Sequence, residues 1–449
     1  MNRDLTRGPV TKGMLLFALP MILGNLLQQF YNVADTLIVG QFLGAAALAA
    51  VGSSYTLMTF LTSILLGMCM GSGAVFSIRF GEGDRARLKN SLSLSFLMIA
   101  AFTVVMNLAV FLLIDPMMGL LQVPEEVYPL MRSYLWVIFW GIGGTFLYNY
   151  FACLLRAIGN SATPLLFLGI SAVLNIALDL VFVVVVPWGV AGAAFATSLS
   201  QWVSGLGLLA FTLAKMPQLR PSRQDVRWEK DRVLEIARFS LLTCVQQSVM
   251  NFGILMVQGL VNSFGTMVMA AFAAAVKIDS FAYMPVQDFG NAFSTFIAQN
   301  YGAKRMDRVR RGIKSAVVSS VVFALLISVL VFVFAKPLLL LFVKPEETEI
   351  LAVGVQYLRI EGAFYFGIGI LFLLYGLYRA IERPGMSLVL TVISLGTRVA
   401  LAYALSAVPL FGVTGIWWSV PIGWALADIT GFLYSLLRKR QLLSWGKTP

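Results

Sequence analysis

The sequence predicts an all-α polytopic membrane protein with twelve transmembrane helices in two pseudo-symmetric six-helix bundles. Three observations carry that expectation: a very apolar composition, a regular succession of long apolar runs, and a second half that repeats the first. The 449-residue chain is 59% hydrophobic and only 12% charged. A soluble body of that length needs more charge to cover itself, so the solvent implied is lipid.

The apolar segments run near residues 15–39, 47–76, 92–114, 130–154, 164–186, 189–213, 236–261, 267–297, 313–334, 354–378, 386–407 and 413–437. Each approaches or exceeds the roughly 20 residues that cross a bilayer as a helix. The polar start, MNRDLTRGPVTKG, precedes an apolar run without a small-residue cleavage site. It reads as a cytoplasmic tail before a permanent helix. Pro187-Trp188-Gly189 closes the fifth segment, and Pro409 to Gly412 closes the eleventh. The longest polar stretch, Lys215 to Asp231, joins segments six and seven. The expected division is an N-terminal lobe over 1–214, a cytoplasmic linker over 215–235 and a C-terminal lobe over 236–449.

Loop charge orients the helices. The loops on one side carry 27 Lys and Arg, and those on the other carry only Arg132, Lys336 and Lys344. Positive residues stay cytoplasmic, so both termini are expected there, in the cytoplasmic (inner) membrane. The net charge of +12 follows from these loops, with no basic stripe on a soluble module to bind nucleic acid. Cys69, Cys153 and Cys244 lie far apart in apolar text without metal-site spacing. Histidine is absent, so any proton relay must use carboxylates. No nucleophile, metal cluster or phosphate loop suggests an enzyme.

The repeat keeps an almost constant offset. Gln28, Asn32 and Gly40 meet Gln247, Asn251 and Gly259 at 219 residues, and Phe80-Gly81 meets Tyr301-Gly302 at 221. Arg156-Ala157-Ile158 meets Arg379-Ala380-Ile381 at 223. Six helices per half put both halves in the same orientation, a parallel repeat about an axis along the membrane normal. Two such bundles enclosing a central cleft suit alternating access.

A charge at mid-bilayer costs about 2.5–3.5 kcal/mol, so each needs a reason. The first half holds Asp35 and Asp179. Asn175 lies one helical turn before Asp179 on the same face, and Thr197 supplies a further oxygen. Their second-half counterparts are Ile254, Arg398, Ala402 and Val420, so only one half carries this oxygen set. General packing would serve both halves alike, which favours an exchangeable H+ or Na+ over mere interhelical hydrogen bonding. The second half has Lys277, Asp279, Asp288, Arg398 and Asp428, either as internal salt bridges or lining a hydrated cleft. Further cleft or gating candidates are Pro20, which should kink the first helix, with Tyr31, Asn32, Gln247 and Asn251. Gly67 and Gly71 form a close-packing pair. Phe146, Tyr148, Tyr150, Phe281, Tyr283 and Trp424 are aromatic cleft candidates or plain core.

The pattern resembles the multidrug and toxic compound extrusion (MATE) family over nearly the whole chain. The motifs are Ala18-Leu19-Pro20 followed by Asp35, Arg79-Phe80-Gly81-Glu82-Gly83-Asp84, Leu154-Leu155-Arg156-Ala157-Ile158-Gly159, Asn175-Ile176-Ala177-Leu178-Asp179 and Ala298-Gln299-Asn300-Tyr301-Gly302-Ala303. The resemblance implies a V-shaped pair of lobes that exchanges drugs, often amphipathic cations, for H+ or Na+. It places the coupling ion at Asp35, Asn175, Asp179 and Thr197. One branch also uses a glutamate in helix seven, where this chain has Gln246, Gln247 and Asn251. The expected partners are small organic substrates and membrane lipids, with no cofactor beyond the coupling ion and no second subunit. A lipid-linked precursor or polysaccharide flippase is the alternative, kept open by Lys277 and Arg398.

Overall fold

The computed structural model describes residues 4–120, 123–220, 222 and 225–437. Every regular element among them is helical. In chain order they are α1 (Val10–Leu43), α2 (Ala45–Glu82), α3 (Arg85–Leu112), the short α4 (Ile114–Leu120), α5 (Tyr128–Ile138), α6 (Ile142–Ala157), α7 (Ala162–Asp179) and α8 (Gly189–Lys215). The second half adds α9 (Lys230–Asn262), α10 (Thr266–Gly302), α11 (Met306–Leu339), α12 (Thr348–Gly362), α13 (Tyr365–Ala380), α14 (Pro384–Ser406) and α15 (Gly412–Leu437). Among the described residues eleven spans are long and apolar enough to cross a membrane, and α12 with α13, bent by 50°, makes a twelfth when counted as one span. That bend falls inside the segment read from sequence as one run over 354–378. The backbone of Phe364 leaves the helical region there, at φ −116° and ψ 17°.

The two halves match element by element apart from α4, whose counterpart is the end of α11 beyond a kink at Phe334, and several of their backbone exceptions match as well. Gly44 and Gly265 open α2 and α10 with φ of 85° and 96°, and Gly189 and Gly412 open α8 and α15 with φ of 62° and 48°. Gly83 and Gly159 also have positive φ, and Lys304 and Glu382 hold the same positions in the second half.

By packing, the chain forms two compact units. Unit 1 takes in Leu19–Cys244, and unit 2 takes in Leu5–Ala18 with the described residues from Val245 onward. The division by loop polarity at 215–235 therefore differs from the division by contact, which cuts α1 and α9. The reasons are local. In unit 1, Gly67 and Gly71 leave no side chain between α2 and the backbone of α9 at Phe239–Cys244. Ser72 and Ser240 share a hydrogen bond of 2.9 Å, and Arg79 reaches Glu235 at 2.5 Å. In unit 2, Arg308 donates to the carbonyls of Leu5, Arg7 and Gly8, while Arg305 holds that of Thr6.

The core of unit 1 is aromatic. Phe76, Phe96, Phe146 and Phe151 surround Tyr150, whose hydroxyl donates to the Leu92 carbonyl at 2.7 Å. Phe146 and Tyr150 are thus core, not cleft. In unit 2, Trp417 stacks on Phe272 with Tyr357 edge-on to it. Outside these cores, α11 exposes Val318, Val322, Leu326 and Val329 along one face. So continuous an apolar stripe requires lipid.

Candidate functional site

The structure brings the four oxygen-bearing residues of the first half together within unit 1. Asp35 stands about two turns before the end of α1, and Asp179 is the last residue of α7, fully buried. The two carboxyl groups lie side by side. A six-residue π-turn, Leu180–Val185, follows Asp179 directly. Such turns break the regular ladder and frequently occur at functional positions. Asn175, one turn earlier, is 2% exposed and donates its amide to Thr197 Oγ1 of α8 at 3.2 Å. That bond fixes the amide's orientation and leaves its oxygen free.

The electrostatics follow from what is missing around these atoms. Asp35 Oδ1, Asn175 Oδ1 and both oxygens of Asp179 are buried without a hydrogen-bond donor. Among the described residues no Lys or Arg pairs with either aspartate. Two adjacent carboxylates repel unless a proton or cation lies between them, and low dielectric sharpens the conflict. The donor set is all oxygen: two carboxylates, an amide and a hydroxyl. It suits a proton or a hard monovalent cation, not a thiolate- or imidazole-bound metal. Among the described residues no three His, Cys, Asp or Glu side chains gather as a metal centre.

One neighbour went unnoticed in the sequence. Tyr134 of α5 is buried within electrostatic reach of both aspartates. A lone tyrosine in Ser133-Tyr134-Leu135-Trp136 gives no signal by itself. Of the other first-half candidates, Tyr31 lies close to Asp35, with Tyr55 and Tyr148 nearby. The Asn32 carbonyl accepts from Thr36 at 2.8 Å. Pro20 sits inside α1, two residues past the point where the helix changes unit.

The second-half candidates separate into distinct places in unit 2. Lys277 and Asp279 are two residues apart and point to different faces of α10. Lys277 is exposed, with its ammonium 5.9 Å from the Phe342 ring centre. Asp279 is buried within electrostatic reach of Arg398 of α14 and Glu361 of α12. Glu361, only 1% exposed, was overlooked in the sequence although it lies inside a marked span. Tyr357 donates to Glu361 Oε2 at 2.9 Å, and the Tyr365 hydroxyl lies beside Asp279. Asp428 is buried on α15 next to Gly367, with Oδ1 unpaired. Asp288 is buried about two and a half turns beyond Asp279. Gln247 and Asn251 are half-buried on the unit 2 part of α9. Among the described residues no ion pair joins Lys277, Asp279, Arg398 or Asp428, so the salt-bridge alternative for these four is not realised.

A model of the MatE family matches residues 20–181 and again 242–404. The chain belongs to the MatE family. The two matches begin 222 and end 223 residues apart, in the register of the internal repeat. The probable multidrug resistance protein YpnP of Bacillus subtilis is 31% identical over 442 residues, covering 96% of each chain. The probable multidrug resistance protein YoeA of the same organism is 28% identical over 450 residues, covering 96% of this chain and 95% of its own. A solved MATE protein in a bent conformation has a TM-score of 0.92 at 24% identity, covering 99% of this chain and 98% of its own. That likeness fixes the MatE fold, and the family makes the chain a multi-pass membrane transporter.

Proposed function

We propose that this MatE transporter is an antiporter that exports amphipathic, often cationic, organic compounds in exchange for H+ or Na+. The coupling ion binds among Asp35, Asn175, Asp179 and Thr197. One observation carries the reading: four oxygens, on Asp35, Asn175 and Asp179, are buried without a hydrogen-bond partner, and the two carboxyl groups among them lie side by side. Unpaired buried acceptors are costly, and side-by-side carboxylates more so. A proton or cation removes that cost on entering and restores it on leaving, which is what a coupling site requires. The multidrug names of the similar chains support the substrate class. Inward passage of one positive charge through 100 mV supplies about 2.3 kcal/mol to the export of an uncharged compound, whereas exchange for a monovalent cation is electroneutral and is driven by the ion's own concentration gradient. The excess of Lys and Arg in one set of loops supports cytoplasmic termini in the inner membrane.

The flippase alternative loses its motive, because Lys277 is exposed against Phe342 and Arg398 lies within electrostatic reach of two carboxylates. The test is ethidium export by reconstituted protein under an imposed proton or sodium gradient. Asp35→Asn and Asp179→Asn should each reduce gradient-driven export to the level of protein-free vesicles. Undiminished export by either variant defeats the reading.

A further inference from the structure

Unit 2 contains a second buried acid cluster whose relation to the first is visible through the repeat. Tyr134 and Tyr357 are 223 residues apart, each in a Tyr-Leu pair at the same offset as Arg156 and Arg379. Both are buried, and each lies within electrostatic reach of the carboxyl pair of its own unit. Asn175 and Arg398 have the same offset. The two clusters share these two landmark positions, although their acids sit on different helices, α1 and α7 in unit 1 and α10 and α12 in unit 2. Where unit 1 has a neutral amide, unit 2 has a guanidinium.

The surroundings of Arg398 show what it does there. α15 approaches α14 closely at this level, because a side chain at Gly423 would press on Ser394 and Arg398. Arg398 Nε is buried without an acceptor, Glu361 Oε1 and Asp279 Oδ1 are buried without donors, and the buried Tyr365 hydroxyl is unpaired. Tyr283 completes the polar lining. The groups balance differently in the two units. Unit 1 has two carboxylates and no fixed cation, whereas unit 2 has two carboxylates, one fixed cation and a Tyr357 hydroxyl already committed to Glu361.

We infer that Arg398 is a tethered positive charge that stands in, permanently, for the exchangeable cation of unit 1, so that unit 2 loads no coupling ion and unit 1 alone sets the stoichiometry. A guanidinium held by its own backbone cannot leave, and it repels any incoming Na+. This rests on the coupling role proposed for Asp35 and Asp179, but its central test does not.

The experiment measures radioactive Na+ binding and proton release on purified full-length protein, with Arg398→Asn installing the residue of the equivalent position in unit 1. Expected is a gain of roughly one bound cation or exchangeable proton per chain in Arg398→Asn. The gain should persist when Asp35→Asn is added and disappear when Glu361→Gln is added. Arg398→Lys, which keeps the charge, should show no gain. In protein carrying only Asp35→Asn, no uptake that depends on Glu361 should remain. The inference is overturned if Asp35→Asn protein still takes up a cation or proton that Glu361→Gln removes. It is equally overturned if folded, monodisperse Arg398→Asn protein gains nothing. The Asp35→Asn arm needs no change at Arg398, so an unstable Arg398 variant leaves the question decidable. Absence of Asp35-dependent uptake in the unaltered protein counts against the coupling site of unit 1 while the Glu361-dependent gain still decides this inference.

Discussion

The closest helix contact in unit 1 permits a quantitative forecast. At Gly71 of α2, a Cβ would sit 2.3 Å from the Phe239 carbonyl oxygen, 2.6 Å from its carbon and 2.7 Å from Ser240 Cα. All three are backbone atoms of α9, so no flexible side chain can move aside. Carbon atoms pack at about 3.5–4.0 Å. Gly71→Ala must therefore push the two helices about 1 Å apart, stretching the Ser72–Ser240 hydrogen bond and the Arg79–Glu235 pair along the same seam. Overpacking of this kind costs about 1–3 kcal/mol, a factor of roughly 5–150 in the folded-to-unfolded ratio. The control lies in the same helix: a Cβ at Gly52 has nothing within 4 Å. Gly52→Ala should gain up to about 1 kcal/mol, because alanine loses less backbone freedom in a helix. The assay is reversible unfolding in mixed micelles with increasing SDS, followed by tryptophan fluorescence. If Gly71→Ala unfolds no more easily than Gly52→Ala, the close α2–α9 seam described above is wrong.

Other outcomes follow from single contacts. Lys304 holds a φ of 56° where the first half has Gly83, so Lys304→Gly should raise the thermal midpoint; Gly83→Ala should lower stability by about 1–2 kcal/mol, both read from melting of purified protein. Arg308→Ala removes three hydrogen bonds from the Leu5–Gly8 carbonyls, so trypsin should cleave after Arg7 several-fold faster, as seen by mass spectrometry. Hydrogen bonds from Arg132 and then Tyr128 hold the exposed Asp115 carboxyl below its usual range. Its small stabilising effect is present above the unfolded-state pKa near 4 and lost as pH falls through the lower folded value. Arg132→Ala should flatten that part of the acid-unfolding curve by lowering stability slightly at neutral pH while leaving it unchanged once Asp115 is protonated.

Much of this architecture was legible in the sequence because lipid imposes simple rules. Apolar length marks each span, and the recurrence of Arg-Ala-Ile and Gly-Val motifs marks the duplication. Asp35 and Asp179 drew attention because carboxylates in apolar text are expensive, and helical periodicity joined Asn175 to Asp179. Glu361 was open to the same argument but lies beside Arg359, which makes the stretch look like a charged segment end. The structure separates them, with Arg359 exposed over the Phe332 ring and Glu361 buried. The tyrosines were not legible, since Tyr134, Tyr357 and Tyr365 match the surrounding apolar text until neighbouring helices place them near carboxylates. The change of unit within α1 and α9 was hidden for a similar reason. Glycine faces and backbone carbonyls decide it, and neither alters the hydropathy of the text.

The allegiance of Leu5–Ala18 to unit 2 has a consequence for synthesis at the ribosome. The amide of Leu5 donates to Gln299, 294 residues downstream. At about 5–20 residues per second, the start of the first helix waits roughly 15–60 s for its partners to emerge. During that interval its buried face must be sheltered by the insertion machinery or by a neighbouring helix that later gives way. Chains stalled between Cys244 and Gln299 are therefore expected to be the most vulnerable to quality-control proteolysis, and the vulnerability should end once α10 and α11 have entered the bilayer.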